Sequence, residues 1–93
     1  MAAEIQIVVP EEIKEKNLRT LAAARREIGL VFNLGEVVEN ICQQLAWEAI
    51  SRRELFSAAD FLMHARAQAR LNFGDTSGYE EQLTTIQREL SNS

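Results

Sequence analysis

Apolar residues recur at intervals of three and four positions in four successive segments, and this spacing most constrains the fold. An α-helix has about 3.6 residues per turn, so residues spaced in this way line one face and are buried together. The four stripes are Ile13, Leu18, Leu21, Ala24, Ile28 and Val31; Val37, Val38, Ile41, Leu45 and Ala49; Ala58, Phe61, Leu62, Ala65 and Ala69; and Tyr79, Leu83, Ile86 and Leu90. The pattern predicts an all-α fold, a small bundle of about four helices with short connections.

Helix-start signals separate these stripes. Pro10 followed by Glu11 and Glu12 is typical of a first helical turn, where proline fits and acids complement the helix dipole. A serine or asparagine followed three residues later by an acid indicates an N-cap with its reciprocal acid. Such pairs are Asn33 with Glu36, Ser51 with Glu54, Ser57 with Asp60, and Ser77 with Glu80. We therefore expect a third helix from about Ser57 to Asn72, with Gly74 as its left-handed cap.

Residues 4–9 alternate between polar and apolar and then run apolar, which is typical of a short strand. One strand cannot satisfy its own backbone, so it frays, packs as an extended arm, or adds to a sheet edge on another molecule. We expect an arm packed on the helices. A chain of 93 residues has room for one core. The expected organisation is an N-terminal arm over residues 1–10, a helical bundle over 11–90, and a disordered tail over 91–93.

Composition restricts the chemistry that the chain can perform. Cys42 lies in an apolar helical pattern, as a small buried hydrophobe, and being the single cysteine it excludes an internal disulfide. His64 is the single histidine and lies in a different predicted helix, so the pair forms no metal motif. A catalytic thiol also needs an exposed, electropositive setting. Residues 1–10 lack the segments of a signal peptide, and the apolar runs are too short to cross a bilayer. We expect a cytoplasmic binding protein without enzyme activity, cofactor, metal or membrane contact.

The arginines carry the main functional signal. The net charge of −4 argues against a protein that coats nucleic acid with its whole surface. Residues 19–70 nevertheless hold seven arginines and no lysine, and guanidinium groups bind phosphates through a planar fork. If the bundle brings them together, they form a basic groove that follows a DNA or RNA backbone without recognising bases. The candidate pairs are Arg25 with Arg26, Arg52 with Arg53, and Arg66 with Arg70.

The alternative is that these arginines form surface ion pairs of little consequence. Acids close in sequence are available to three of them: Glu27 for Arg26, Glu48 for Arg52, and Glu54 for Arg53. Arg66 and Arg70 have no acid three or four positions away, so local pairing explains them least. Trp47 and Phe56 flank the second turn, either as core or subunit-contact residues or as platforms on which bases stack.

The chain's size, its predicted bundle across roughly residues 11–90, and the arginine pairs at 25–26, 52–53 and 66/70 resemble the helical small subunits of type I CRISPR surveillance (Cascade) complexes. The resemblance is greatest to the kind encoded as the C-terminal helical part of the large subunit. It implies a non-catalytic subunit of an antiviral ribonucleoprotein, present in several copies, that braces the target or displaced DNA strand through non-specific backbone contacts. A strand-like lead-in that ends at Pro10 would suit a product started inside a longer reading frame.

The net charge of −4 departs from the basic character of many such subunits. The competing hypothesis is therefore a protein–protein adaptor or regulatory helical module, either homo-oligomeric or bound to a larger enzyme. Its interface would be formed by surplus apolar helix faces.

Overall fold

The computed structural model describes residues 4–28 and 35–92, and these contain four α-helices and no strand. The helices are α1 (Glu11–Ile28), α2 (Gly35–Ser51), α3 (Leu55–Leu71) and α4 (Ser77–Ser91). The predicted all-α bundle of four helices is confirmed. Predictions for the side chains of Ile28 and Glu36, for Val31, and for the Asn33 cap lie outside the described residues.

Helix α3 is central and packs against each of the other three helices. Its buried residues include Ala58, Ala59, Ala65 and Ala69. Small side chains shorten the distance between helix axes, so alanines on several faces let α3 approach more than one neighbour closely. The largest fully buried side chains are Leu62, Leu83 and Cys42, which belong to α3, α4 and α2. The centre of the core therefore lies where these three helices meet.

Helix α1 buries a face that includes one polar residue. Leu21 is buried, and Ile13 and Ala24 pack partly against the core. Leu18, which was expected on this face, is 53% exposed, while the adjacent Asn17 is buried. One residue corresponds to a rotation of about 100° around the helix. The prediction for Leu18 was wrong because Asn17, at the favourable rotation, faces the bundle.

Residues 4–10 form an extended segment that packs on the helices, and we call it the arm. Ile7 and Val9 are buried in the core, whereas Gln6 and Val8 are exposed. This alternation is that of an extended chain, which places successive side chains on opposite faces. The carbonyl of Pro10 accepts hydrogen bonds from the N–H groups of Ile13, at 3.0 Å, and Lys14, at 3.1 Å. The arm therefore ends where α1 begins.

Two residues after the last residue of α2 and of α3, the backbone takes a left-handed conformation at a residue that is not glycine. The N–H of Glu54 donates to the carbonyl of Ala49 at 2.9 Å, and the N–H of Gly74 donates to that of Ala69 at 2.7 Å. These bonds close each helix with a Schellman motif. The left-handed positions are occupied by Arg53, with φ 61°, and Phe73, with φ 57°. Gly74 was wrongly predicted to be the left-handed cap, because that position falls one residue earlier.

The substitution Phe73→Gly is expected to raise the free energy of unfolding by about 0.5–1 kcal/mol. Glycine takes a positive φ without a steric penalty, and the Phe73 side chain is 98% exposed, so little burial is lost. Thermal unfolding followed by circular dichroism measures the effect. Phe73→Ala is the matched control, because it removes the ring but keeps the strained backbone. A gain of equal size in both variants would contradict this explanation.

The start of α3 also differs from the predicted cap. The helix begins at Leu55 rather than Ser57, with Glu54 at the N-cap position and without a side-chain capping bond. Ser57 therefore lies inside the first turn and is buried. Asp60, its predicted capping partner, is buried as well and points toward α1.

Helix α4 is preceded by a turn that Asp75 organises. Its carboxylate accepts hydrogen bonds from the backbone N–H of Ser77, at 3.0 Å, and from the Ser77 hydroxyl, at 2.9 Å. The two bonds, first from the backbone and then from the side chain, lower the pKa of Asp75. The predicted Ser77–Glu80 cap was wrong, since Thr76 is the N-cap residue. The helix continues to Ser91, so the predicted tail is helical at its start, and Ser93 lies outside the described residues.

Candidate functional site

Arg66 lies inside the protein, not on a binding groove. Its side chain is 4% exposed and donates a hydrogen bond to the carbonyl of Ile5 at 2.7 Å. It also forms an ion pair and hydrogen bond with Glu80 of α4 and lies 4.0 Å from the carboxylate of Glu4. The guanidinium group of Arg66 is therefore engaged within the chain and is not presented to a nucleic acid backbone, so the phosphate contact at Arg66 stays a prediction that this position does not support.

Arg70 is half-exposed and forms an ion pair with Glu4. Together with Arg66 it holds the first part of the arm against α3. Both arginines lacked an acid nearby in sequence, and both are paired with acids that are distant in sequence. No signal in the sequence could have revealed these partners, because they meet only when the arm and α4 dock on α3. The Arg66–Arg70 pair is a structural clasp for the arm.

Glu80 completes this clasp from α4. Its carboxylate accepts the N–H of Ile5 at 3.2 Å while it pairs with Arg66. Both backbone polar groups of Ile5 are thus satisfied by side chains, in the way that a neighbouring strand would satisfy them. Burial raises the pKa of Glu80, but hydrogen bonds from Arg66 and Ile5 and the charges of Arg66 and Arg70 outweigh burial and lower it. Glu80 is therefore ionised at neutral pH.

The other four candidate arginines, Arg25, Arg26, Arg52 and Arg53, are exposed. In the described part of the chain, Arg26, Arg52 and Arg53 form no ion pair, so the expected local pairs with Glu27, Glu48 and Glu54 are not found there.

Lys16 lines one cleft with Arg52 and a second with Arg53, which makes a basic corner beside the α2–α3 turn. Glu48 lines the first cleft and Glu54 lines both, which reduces the positive charge of the corner. Arg25 and Arg26 lie nine or ten residues beyond Lys16 on α1, which corresponds to roughly 14 Å along the axis. Of the six arginines, only Arg52 and Arg53 line these two clefts in the described part of the chain.

A buried polar cluster joins α1 to α3. The side-chain amide of Asn17 donates to Asp60 at 2.9 Å and to the carbonyl of Ser57 at 3.4 Å. His64, one turn further along α3, has its Nε2 3.8 Å from the carboxylate of Asp60. Asn17 and Asp60 are only 3% and 5% exposed, so water does not reach their polar atoms. Each side chain therefore depends on the other for a hydrogen bond. The only sequence signal for this cluster was an asparagine on an apolar stripe.

Cys42 is a fully buried residue of α2, as predicted. Burial is the main cause that raises the pKa of its thiol to about 11; the charge of Arg25 opposes this change, and those of Asp60 and Glu39 add to it. The thiolate is the nucleophilic form of cysteine. At neutral pH Cys42 is therefore protonated and inaccessible, and it acts as a packing residue.

Tyr79 connects α4 to α2 through a partly buried polar contact. Its hydroxyl donates to the carboxylate of Glu39 and accepts a hydrogen bond from the side-chain amide of Gln43. Burial, followed by the hydrogen bond to the Glu39 carboxylate, raises the pKa of Tyr79. The hydroxyl therefore stays protonated as a donor, and this contact positions α4.

The outward face of α2 carries an uncharged stripe around an exposed tryptophan. Asn40, Gln44, Trp47 and Ser51 are spaced by four, three and four residues, and all four are exposed. Trp47 itself is 70% exposed, and Ile50 beside it is at the boundary of exposure, at 36%. We call Asn40, Gln44, Trp47 and Ser51 the α2 stripe. Phe56, the other aromatic considered near the turn, packs partly against the core.

Two further apolar side chains are exposed at the C-terminal end of α3. Leu71 is 72% exposed, and Phe73 is 98% exposed on its left-handed backbone. Phe73 combines backbone strain with exposure of an aromatic ring, and strained residues of this kind concentrate at functional positions. Both residues lie at the opposite end of α3 from the α2–α3 turn.

Among the described residues, no group of histidine, cysteine, aspartate and glutamate side chains is arranged to hold a metal ion. None of the helices in the described part of the chain has the length and apolar character needed to span a membrane. Comparisons of the chain with protein-family models, with curated proteins and with solved structures found no match.

Proposed function

We propose that this protein is a non-catalytic helical interaction module that binds a protein partner through the α2 stripe. The observation that carries the proposal is Trp47, which is 70% exposed within a stripe of four uncharged residues, with the exposed Glu48 beside it. Tryptophan is enriched among the residues that dominate binding energy, and charged residues are depleted at the centre of interfaces. The described side chains of α1 and α4 instead present many charges to solvent, so the α2 stripe differs from the surface around it.

The strand-holding hypothesis has less support at its two most informative residues, because Arg66 is buried against Glu80 and the half-exposed Arg70 is paired with Glu4. What remains for phosphate contacts is the corner of Lys16, Arg52 and Arg53 and the separate pair on α1. A subunit that is braced by protein neighbours remains compatible with a role in a larger ribonucleoprotein. In that role the α2 stripe would bind the neighbouring subunit, and nucleic acid contact would be secondary.

Trp47→Gln is expected to weaken partner binding at least about tenfold, because a central tryptophan contributes 2 kcal/mol or more at many interfaces. The fold should persist, since the indole is exposed and glutamine is a good helix former. The measurement is affinity purification of the tagged chain from its native cells after nuclease treatment, followed by titration of the recovered partner with purified variants. Arg52→Glu/Arg53→Glu is the matched control. Loss of binding in this control but not in Trp47→Gln would contradict the proposal and place the protein interface at the corner of Lys16, Arg52 and Arg53 instead.

A further inference from the structure

The two edges of the N-terminal arm differ: one is engaged by side chains at Ile5, and the edge of Gln6 and Val8 has no bonded backbone group in either residue. In an extended chain, the N–H and C=O of one residue point to one side, and those of the next residue point to the other. The backbone groups of Ile5 face Glu80 and Arg66. Those of Gln6 and Val8 therefore face the opposite side, and within residues 4–28 and 35–92 no partner bonds to them. This side of the arm is an unpaired strand edge.

A cleft of about 380 Å³ lies on the α1 side of the arm. Gln6 and Ile7 line it from the arm, and the opposite wall is formed by α1 and α3. Leu18, whose exposure the helical pattern did not predict, lies on that wall. The remaining lining residues are Lys14, Asp60, Met63 and His64. The space beside the free edge is therefore open to an approaching chain and is partly apolar.

We propose that this edge is a strand-addition site and that its occupant is the arm of a second copy of this chain. Consider two arms that run antiparallel with Ile7 opposite Ile7. Gln6 of each copy then lies opposite Val8 of the other, and each of these pairs exchanges both N–H and C=O bonds. Gln6 and Val8 are the residues whose backbone groups lie on the edge away from Glu80 and Arg66. Ile5 falls opposite Val9, so residues that face the helices are paired with each other.

The charge and rigidity of the arm favour this occupant. Residues 5–10 carry no charge, so two arms meet without direct repulsion although the whole chain carries −4. Glu4 is held by Arg70 and Arg66 of its own chain. The same clasp keeps the arm extended before a partner arrives, which reduces the entropy lost on pairing. Because Ile5, Ile7, Val8 and Val9 are β-branched, they also suit a strand. This surface is distinct from the α2 stripe and does not depend on it.

Sedimentation velocity of the full chain, up to millimolar concentration, tests the proposal. The wild-type chain is expected to form a dimer. Val8→Pro is expected to weaken dimerisation at least about tenfold, because proline removes an N–H that donates in both copies. Val8 is 90% exposed, and a following proline favours the extended backbone that Ile7 already has, so the monomer should keep its fold. Val8→Thr, which retains the N–H and a β-branched side chain, is the matched control.

An isotopically mixed sample provides a direct measurement by nuclear magnetic resonance. The expected signal is an intermolecular contact between the Hα atoms of Ile7 in the two copies, which only the antiparallel register brings together. A chain that remains monomeric at millimolar concentration overturns the proposal. A dimer that survives Val8→Pro overturns it as well. If that dimer is lost in Trp47→Gln, the two copies associate through the α2 stripe instead.

Discussion

Replacing Arg66 with methionine is expected to lower the free energy of unfolding by about 2–3 kcal/mol, the largest effect that we predict for one substitution. Breaking a buried ion pair by removing one partner costs about 3–5 kcal/mol, because the other charge is left uncompensated. We place the effect below that range because the side chain of Glu80 is 29% exposed, so water replaces part of what Arg66 supplied. The carbonyl of Ile5 also loses its donor. Methionine roughly preserves the aliphatic volume, so the effect isolates the loss of the guanidinium group.

Urea unfolding followed by circular dichroism at neutral pH measures this change. Arg88→Met on the exposed side of α4 is the matched control, and we expect it to change stability by less than about 0.5 kcal/mol. Hydrogen exchange should also be faster at the Ile5 amide in the Arg66 variant, because the arm loses its contacts with Arg66 and keeps only those with Arg70 and Glu80. If both methionine variants unfold at the same urea concentration, the clasp does not stabilise the fold.

The Arg66–Glu80 ion pair predicts that the free energy of unfolding depends on pH. The folded pKa of Glu80 lies below its ordinary value of 4.5. Its ionised form therefore contributes stability that is fully present above about 4.5 and is lost as the pH falls through the folded pKa. The difference in stability between the wild-type chain and Arg66→Met should narrow over this acid range.

Replacing Asn17 with leucine is expected to lower the free energy of unfolding by about 2 kcal/mol. The carboxylate of Asp60 is 5% exposed and would lose the Asn17 donor at 2.9 Å. A buried acceptor without its partner costs about 1–3 kcal/mol, and more when it is charged. Leucine favours the helix by a few tenths of a kcal/mol over asparagine, which offsets a small part of the loss.

Thermal and urea unfolding of Asn17→Leu, compared with Thr20→Leu on the exposed side of α1, measure this effect. The double variant Asn17→Leu/Asp60→Leu should recover much of the stability, because removing both partners leaves no unsatisfied group. A double variant that is less stable than the single variant would show that Asp60 has another essential partner, for which His64 at 3.8 Å is the candidate.

The helices could be predicted from the sequence because each stripe is a local property. Tyr79, Leu83 and Ile86 recur at helical spacing, and all three are buried in the structure. The arm could be predicted for the same reason, since alternation over a few residues indicates an extended chain. Helix ends were less predictable. The Schellman motifs place Arg53 and Phe73 in left-handed positions that usually favour glycine. The residue types at these positions therefore did not indicate where the helices end.

Trp47 could be singled out from the sequence as a possible subunit contact, but the tertiary polar contacts could not be predicted, and the acids show why. Asp60 and Glu80 each follow a serine by three residues, which is the pattern of a capping acid. In the folded chain, Asp60 instead bonds to Asn17, and Glu80 bonds to Ile5 and Arg66. The Asn17–Asp60 and Ile5–Glu80 bonds span 43 and 75 positions in sequence. A hydrogen bond to a tertiary partner that is buried with the carboxylate is stronger than a capping bond at a solvent-exposed helix end, because the buried bond lies in a less polar environment.

By itself the sequence determined that the chain forms four helices in this order, which faces of them are apolar, and that residues 4–10 extend along their surface. Those features follow from periodicity and from local backbone preference, which act over a few residues. Only the tertiary structure decided that Arg66 and Arg70 hold the arm against α3, that Asn17 bonds to Asp60, and that Trp47 is exposed. These outcomes depend on which elements become neighbours in space, and electrostatic and hydrogen-bonding partners are selected at that stage rather than along the chain.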